Sequence, residues 1–195
     1  MELESLRDLY VHELKDLYSA ERQMLRNMPK MVKAATNRQL ASAFQQHLDQ
    51  TKRQAERLEQ ILQDNGESTR GPKCEGMAGV LREGDEMVST SAEDEVRDAG
   101  LIAAAQRAEH YEIAGYGCAR TYAELLGDKK GARTLDAILR EEVAADEKLT
   151  KLARSVINIQ AKKAPQISAK KKSSSSAKSG GVGAAVKKMV EKVTG

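Results

Sequence analysis

The chain contains no tryptophan and one phenylalanine, Phe44. Its core must therefore be built from Leu, Ala, Ile, Val and Met. Proline occurs only at 29, 72 and 165, so long helices meet few interruptions. No run of alternating β-branched residues is present, which excludes a strand-rich fold. No stretch of about 18 apolar residues exists, which excludes a membrane-spanning helix. The opening Met-Glu-Leu-Glu-Ser-Leu lacks the basic and apolar regions of a signal peptide, and a cytoplasmic protein is expected. The two cysteines, Cys74 and Cys118, have no metal-type spacing, so free thiols in a reducing compartment are the simpler reading.

What remains is a helix-forming composition rich in Ala, Leu, Glu, Lys, Arg and Gln, predicting an all-α protein. Charge is unevenly placed. Residues 161–195 hold nine lysines against one glutamate, so the net charge of +3 hides a mildly acidic domain at 1–160. The segments Ala161-Lys-Lys-Ala-Pro and Lys170-Lys-Lys-Ser-Ser-Ser-Ser are low in complexity and predict a largely disordered basic tail. The terminal 182–193 pattern suffices for three turns of amphipathic helix, too short to hold alone.

Apolar periodicity predicts a first helix over about 3–35 with Pro29 kinking or dividing it, and a second over 39–64 capped by Asn37 and ended by Asn65-Gly66. A third follows over 93–126 and a fourth over 132–159. Residues 66–96 form a crossover with a short helix near 74–88, and Ser91-Ala-Glu-Asp-Glu95 resembles a capping box. Two helical hairpins joined by one long crossover are the connectivity of a ferritin-like four-helix bundle, here with a short fifth helix in the crossover.

Polar residues interrupt the apolar stripes at one level. Glu109 and Glu112 fall among Leu101, Ala105, Ala108, Ala119 and Ala123. The first helix contributes Glu21, with Glu13 at the stripe's edge. The second contributes His47, Thr51 and Gln54, and the fourth Glu142 and Asp146. Counted from the turns, Glu21 and Thr51 share one height, and Glu112, Glu142 and Asp146 share another to within about 6 Å. If the two hairpins align, five carboxylates converge. Buried ions need compensation, which protons, arginines or divalent cations can supply. A carboxylate-rich site suits iron or manganese, one or two ions, with Mg²⁺ able to occupy it in vitro. The alternative is pairing with Arg22, Arg107 and Arg140 at the stripe edges. His47 is either a ligand or a hydrogen-bonded core histidine; His110 and His12 lie off their stripes.

Several stretches resemble the YciE/YciF stress-protein family of bacterial ferritin-like proteins. They are Glu13-Leu-Lys-Asp-Leu-Tyr-Ser-Ala-Glu-Arg-Gln23, Phe44-Gln-Gln-His-Leu-Asp-Gln-Thr51, Arg57-Leu-Glu59, Lys73-Cys-Glu-Gly-Met77, Glu109-His-Tyr-Glu-Ile-Ala-Gly-Tyr-Gly117, and Glu141-Glu142 with Asp146-Glu-Lys-Leu149. The resemblance spans about residues 3–158. It implies a homodimeric cytoplasmic protein of the stress response with a ferroxidase-type activity. In the wider ferritin and rubrerythrin group two irons are held by one Glu on the first helix, Glu-x-x-His on the second, one or two Glu on the third, and Glu-x-x-His on the fourth. Glu21, the pair Glu109 and Glu112, and Glu142 match that pattern. The second helix departs from it, with Thr51-x-x-Gln54, and so does the fourth, with Ala145; His47 and Asp146 stand nearby as replacements.

Two functions follow as expectations. One is a di-metal carboxylate protein acting in iron oxidation or peroxide detoxification. The other is a non-catalytic dimeric bundle with a degenerate metal site, serving as an interaction protein. The basic tail adds weak, non-specific nucleic-acid binding through phosphate contacts, weighed against a solvated linker.

Overall fold

The computed structural model describes residues 3–164. The elements are α1 (Leu6–Ala34), α2 (Arg38–Asp64), α3 (Glu75–Ser89), α4 (Asp94–Leu125) and α5 (Lys129–Leu152), then a π-helical turn (Ala153–Ile157) and α6 (Asn158–Lys163). The basic tail expected beyond these, with its 182–193 segment, lies outside the described residues.

Local chemistry fixes the helix ends. Ser5 caps α1 by accepting the Asp8 N–H, and Asn37 caps α2 by accepting from Gln39 and Leu40, as its position predicts. Two of the helices, α2 before the crossover and α4 before the α4–α5 turn, end on a glycine at positive φ, Gly66 at 74° and Gly127 at 78°. In each, the following N–H reaches back to a carbonyl of the last turn, Glu67 to Leu62 and Asp128 to Ala123, both at 2.9 Å. Only a residue without Cβ takes that conformation without strain.

Three expectations are corrected. Pro29 does not divide α1, which runs unbroken through it; the ring sits on the exposed face, away from the core. Ser91 does not cap α4. The helix begins at Asp94 with Glu93 as its cap residue and no side-chain cap bond, so Asp94 and Glu95 support its N-terminus by charge. The last long helix starts at Lys129, because Asp128 accepts the Gly131 N–H at 2.8 Å and caps it.

The protein is a ferritin-like bundle of α1, α2, α4 and α5, with α3 in the crossover packed on α1 and α4. Hairpins α1–α2 and α4–α5 are antiparallel, and α1 lies on α4 while α2 lies on α5. One apolar cluster, with Tyr10, Leu14, Leu58, Leu62, Tyr116 and Leu135, fills one end. A second, with Met31, Leu40, Phe44, Leu101, Leu149 and Ile157, fills the other. Placing Leu40 and Leu101 in the same cluster shows that α2 and α4 start at the same end, so the crossover returns along the bundle. The π turn keeps both Ala153 and Ile157 buried in that end cluster. Between the two clusters lies a level that apolar side chains leave to polar ones.

Candidate metal centre

That middle level is reached by Glu21 of α1, His47, Thr51 and Gln54 of α2, Glu109 and Glu112 of α4, and Glu142 of α5, all buried. Each occupies a position that helical periodicity turns inward, so the backbone delivers them without special geometry. His47, Glu109, Glu112 and Glu142 each offer a ligand atom within 4.8 Å of the others. His47 Nε2 stands 3.0 Å from Glu109 Oε1 and 3.7 Å from Glu142 Oε2. The first distance is short, yet the ring N–H direction misses the oxygen and Nε2 has no hydrogen-bond partner. Glu21 sits beside the group and accepts a hydrogen bond from the Tyr116 hydroxyl.

Most of these atoms are unsatisfied. Glu21 Oε2, both ring nitrogens of His47, Glu109 Oε2, Glu112 Oε1 and Glu142 Oε2 are buried without a hydrogen-bond partner. Buried polar atoms are ordinarily paired, because each orphan costs about 1–3 kcal/mol and charged ones more. Orphans converging from four helices fit a cation, which would take up several lone pairs at once. Four carboxylates and one imidazole match the oxygen-rich, nitrogen-poor donor sets of iron and manganese sites.

Without a cation, protons take its place. Burial pushes Glu21 up to about 8, against the Tyr116 hydrogen bond that works to lower it. Glu112 is driven well above the usual carboxylate range by burial and then by the charges of Glu21 and Glu109. Glu142 is driven up likewise by burial, Glu112 and Glu109. Burial opposes the charged form of His47, but Glu109 overrides it and the imidazole is raised. The metal-free centre is thus a proton store.

The arginines that the pairing alternative needs are elsewhere. Arg22, Arg107 and Arg140 are exposed, and Arg140 pairs with Asp136. Arg57 instead clamps Glu141 with two hydrogen bonds at the edge of the site. That pairing outweighs burial and lowers the Glu141 pKa.

The structure does not bring Asp146 into the group. One turn beyond Glu142, it faces the α4–α5 seam, where Gln106 donates to Oδ1 at 2.9 Å and His110 Nε2 lies 3.3 Å away. Gln54, at the place of an expected ligand histidine, donates its amide to Glu142 Oε1 and, at 3.1 Å, to Glu141 Oε2. Its second-sphere role was not legible from its residue type, although its inward position was. Thr51 points its hydroxyl at Met28 Sδ, 3.7 Å away. Ala145 lines a cavity that reaches His47 and Glu109.

Both thiols are free, Cys74 buried and Cys118 exposed. Cys74 Sγ lies 2.9 Å from the Tyr111 hydroxyl and 3.0 Å from Asp16 Oδ2, and burial pushes the thiol up to about 11. It anchors the crossover, and burial disfavours the thiolate form that would make it reactive. Among the described residues no helix is long and apolar enough to cross a membrane.

Comparison with known proteins agrees with this architecture. The chain is 43% identical to Protein YciF of Escherichia coli (strain K12) over 159 residues, 81% of this chain and 96% of that protein. The crystal structure of the E. coli stress protein YciF matches with a TM-score of 0.77, covering 80% of this chain and 99% of that one. YcfI from Rhodopseudomonas palustris matches at 40% identity and a TM-score of 0.74, over 76% of this chain and 95% of that one. A protein from Xanthomonas campestris pv. campestris, 19% identical with a TM-score of 0.64 over 82% of this chain and 98% of that one, shares the fold. Residues 5–162 match the family described as "Domain of unknown function (DUF892)". The chain belongs to that family and is a homologue of the stress protein YciF.

Proposed function

We propose that the protein is a metal-binding stress protein that holds iron or manganese in the middle of its bundle and acts in iron oxidation or peroxide detoxification in the cytoplasm. The convergence of buried, unpartnered ligand atoms from three helices carries this reading. His47, Glu109, Glu112 and Glu142 would hold the first ion, and Glu21 stands beside them for a second. Two divalent cations would balance four ionised carboxylates. Bound there, such an ion supplies redox and Lewis-acid chemistry. The chain's own part is to exclude water with the two apolar clusters and to orient Glu142 through Gln54. It also fixes Glu21 through Tyr116 and releases protons as cations enter.

The test is elemental analysis of the purified full chain after loading with Fe²⁺ or Mn²⁺, beside the double substitution Glu112→Ala with Glu142→Ala. Metal retained by the wild type and lost in the variant supports binding; equal content in both refutes it. Oxygen consumption on adding Fe²⁺ then separates turnover from simple binding.

A second reading is a non-catalytic interaction protein with a degenerate site. It is favoured by Gln54, whose amide occupies an oxygen of Glu142 that a ligand histidine would leave free. No bound metal, together with a melting temperature unmoved by EDTA, would establish it. Pairing of two copies, implied by the family resemblance, would cover exposed apolar side chains such as Leu125, Leu126 and Val143; light scattering gives the mass. The lysines of 161–195 offer phosphate contacts to nucleic acid, and a salt-sensitive gel shift lost on deleting those residues is the check.

A further inference from the structure

A chamber of about 320 Å³ opens between α2 and α5 and runs inward to His47 and Glu109. Its volume falls within the roughly 300–1,000 Å³ range of small-molecule sites. Small residues create it. Ala43, Gly84, Ala104, Ala105 and Ala108 stand where larger side chains would close the space. Such a void is destabilising unless something occupies it, because its walls lose packing contacts. The inner walls are apolar, built by Met24, Met28, Phe44 and Leu149, all buried. The chamber follows Met24 to Met31 along α1, about two turns or roughly 10 Å. That shape suits a single unbranched chain.

The mouth is different. Gln46, Ala144 and Lys148 are exposed there, beside half-buried Glu141. The charge of Glu141 is taken by Arg57, and that of Arg140 by Asp136. The Lys148 ammonium bonds across the opening to the neutral Gln46 carbonyl and pairs with no carboxylate among the described residues. An uncommitted cation therefore stands over an apolar chamber. An anionic head belongs at the mouth and an apolar tail inside. A cationic or polar tail has no partner along the walls.

We propose that this chamber binds a medium-chain aliphatic monocarboxylate, its tail lying between Met24, Met28 and Phe44 and its carboxylate meeting Lys148. The site does not depend on a metal, and it is tested on metal-free protein so that its fate and that of the metal reading are read separately.

The experiment is calorimetric titration of the EDTA-dialysed full chain with sodium decanoate, and with decylammonium as the charge-reversed probe. Decanoate binds one to one, and decylammonium binds at least about tenfold more weakly. Lys148→Gln weakens decanoate by roughly tenfold or more, the effect of losing one charge-assisted hydrogen bond, and Lys148→Arg restores most of it. Ala105→Phe fills the chamber and abolishes binding. Because Ala105 is buried and its replacement can disturb folding, Ala144→Leu at the exposed mouth carries the same test with an intact fold checked by circular dichroism. Loss in Ala144→Leu with weakening in Lys148→Gln supports the assignment. No decanoate binding to the wild type, equal binding of decylammonium, or wild-type affinity in either variant overturns it.

Discussion

The bundle holds inward carboxylates in two ways. At its ends, Asp98 and Asp128 are surrounded by donors. Asp98 accepts from the Thr36 N–H at 2.9 Å, the Thr36 hydroxyl at 2.8 Å and the Asn37 N–H at 2.8 Å, and so pins the α1–α2 turn to α4. Asp128 accepts from Gly131 N–H, the Tyr10 hydroxyl and the Asn65 amide, joining the α4–α5 turn to the end of α2. At the middle, Glu21, Glu109, Glu112 and Glu142 share two protein donors, Tyr116 and Gln54. The first pair is built to hold turns together. The second group leaves oxygens unpartnered, and within it Glu21, Glu112 and Glu142 are held toward their protonated forms by burial. Counting donors around a buried carboxylate separates a structural role from a ligand role more sharply than burial does, since Asp98 is as deeply buried as the four glutamates.

The largest expected difference between the two regions is in pH dependence. Glu21, Glu112, Glu142 and His47 all have folded-state pKa values raised above their unfolded ones. The folded metal-free protein therefore binds more protons than the unfolded chain, and stability falls as pH rises. For Glu21 the contribution is complete below about 4.5 and is lost as pH climbs through about 8. His47 acts in the same direction from 6.5 upward. Melting of the EDTA-treated protein between pH 5 and 8.5 should show a steady decline. Saturating Mn²⁺ should flatten it, adding about 4 kcal/mol near neutral pH if the free ion stands 1,000-fold above its Kd. A flat profile without metal would mean that Glu21, Glu112 and Glu142 find donors in solution.

Substitution at the ends should behave otherwise. Asp98→Ala leaves the Thr36 and Asn37 N–H groups without their acceptor and should cost about 2–3 kcal/mol in urea unfolding, with or without metal. Asp128→Ala removes a helix cap and two tertiary bonds, for a loss of about 2 kcal/mol. A metal-dependent penalty at either site would break the distinction between ends and middle.

The inward glutamates were legible because helical period fixes direction, and equal distance from a turn fixes height within a hairpin. Glu21, Glu109, Glu112 and Glu142 are read as inward on that basis, and their meeting needs the further condition that the two hairpins align. Asp146 was harder. It shares a face with Glu142, but one further turn lifts it about 6 Å to the seam where Gln106 and His110 reach it, and spacing within one helix does not register the other hairpin. Asp98 was not found, because its donors are backbone N–H groups of a distant turn, invisible to side-chain patterning. The start of α5 was placed late because its first turn, Lys129-Lys-Gly, carries no apolar periodicity. The chamber is not legible in the sequence because its sign is small side chains from separate helices, and an alanine reads as filler until its neighbours are known.

The finest test exchanges oxygen for nitrogen without changing shape. Glu112→Gln removes a group that the metal-free protein must keep protonated far from its ordinary range, at the expense of an amide whose N–H₂ faces carboxylate oxygens in need of donors. Near pH 8 the variant should be more stable than the wild type by about 1–2 kcal/mol without metal, and the gain should shrink toward pH 5, where the folded Glu112 is a neutral acid and protonating the unfolded one costs little because its ordinary value is 4.5. With Mn²⁺ present the sign should reverse, since the amide is a poorer ligand than the carboxylate and the linkage term shrinks with affinity. Asp98→Asn makes the same exchange where an acceptor is already satisfied. There the new N–H₂ meets donors, and the variant should lose stability by about 1–2 kcal/mol at either pH and with or without Mn²⁺. Urea titrations followed by circular dichroism at pH 5 and pH 8, with and without Mn²⁺, read both variants in one series. If Glu112→Gln also destabilises the metal-free protein at pH 8, the buried carboxylate is bound by donors of the chain, and no proton or cation is needed to explain it.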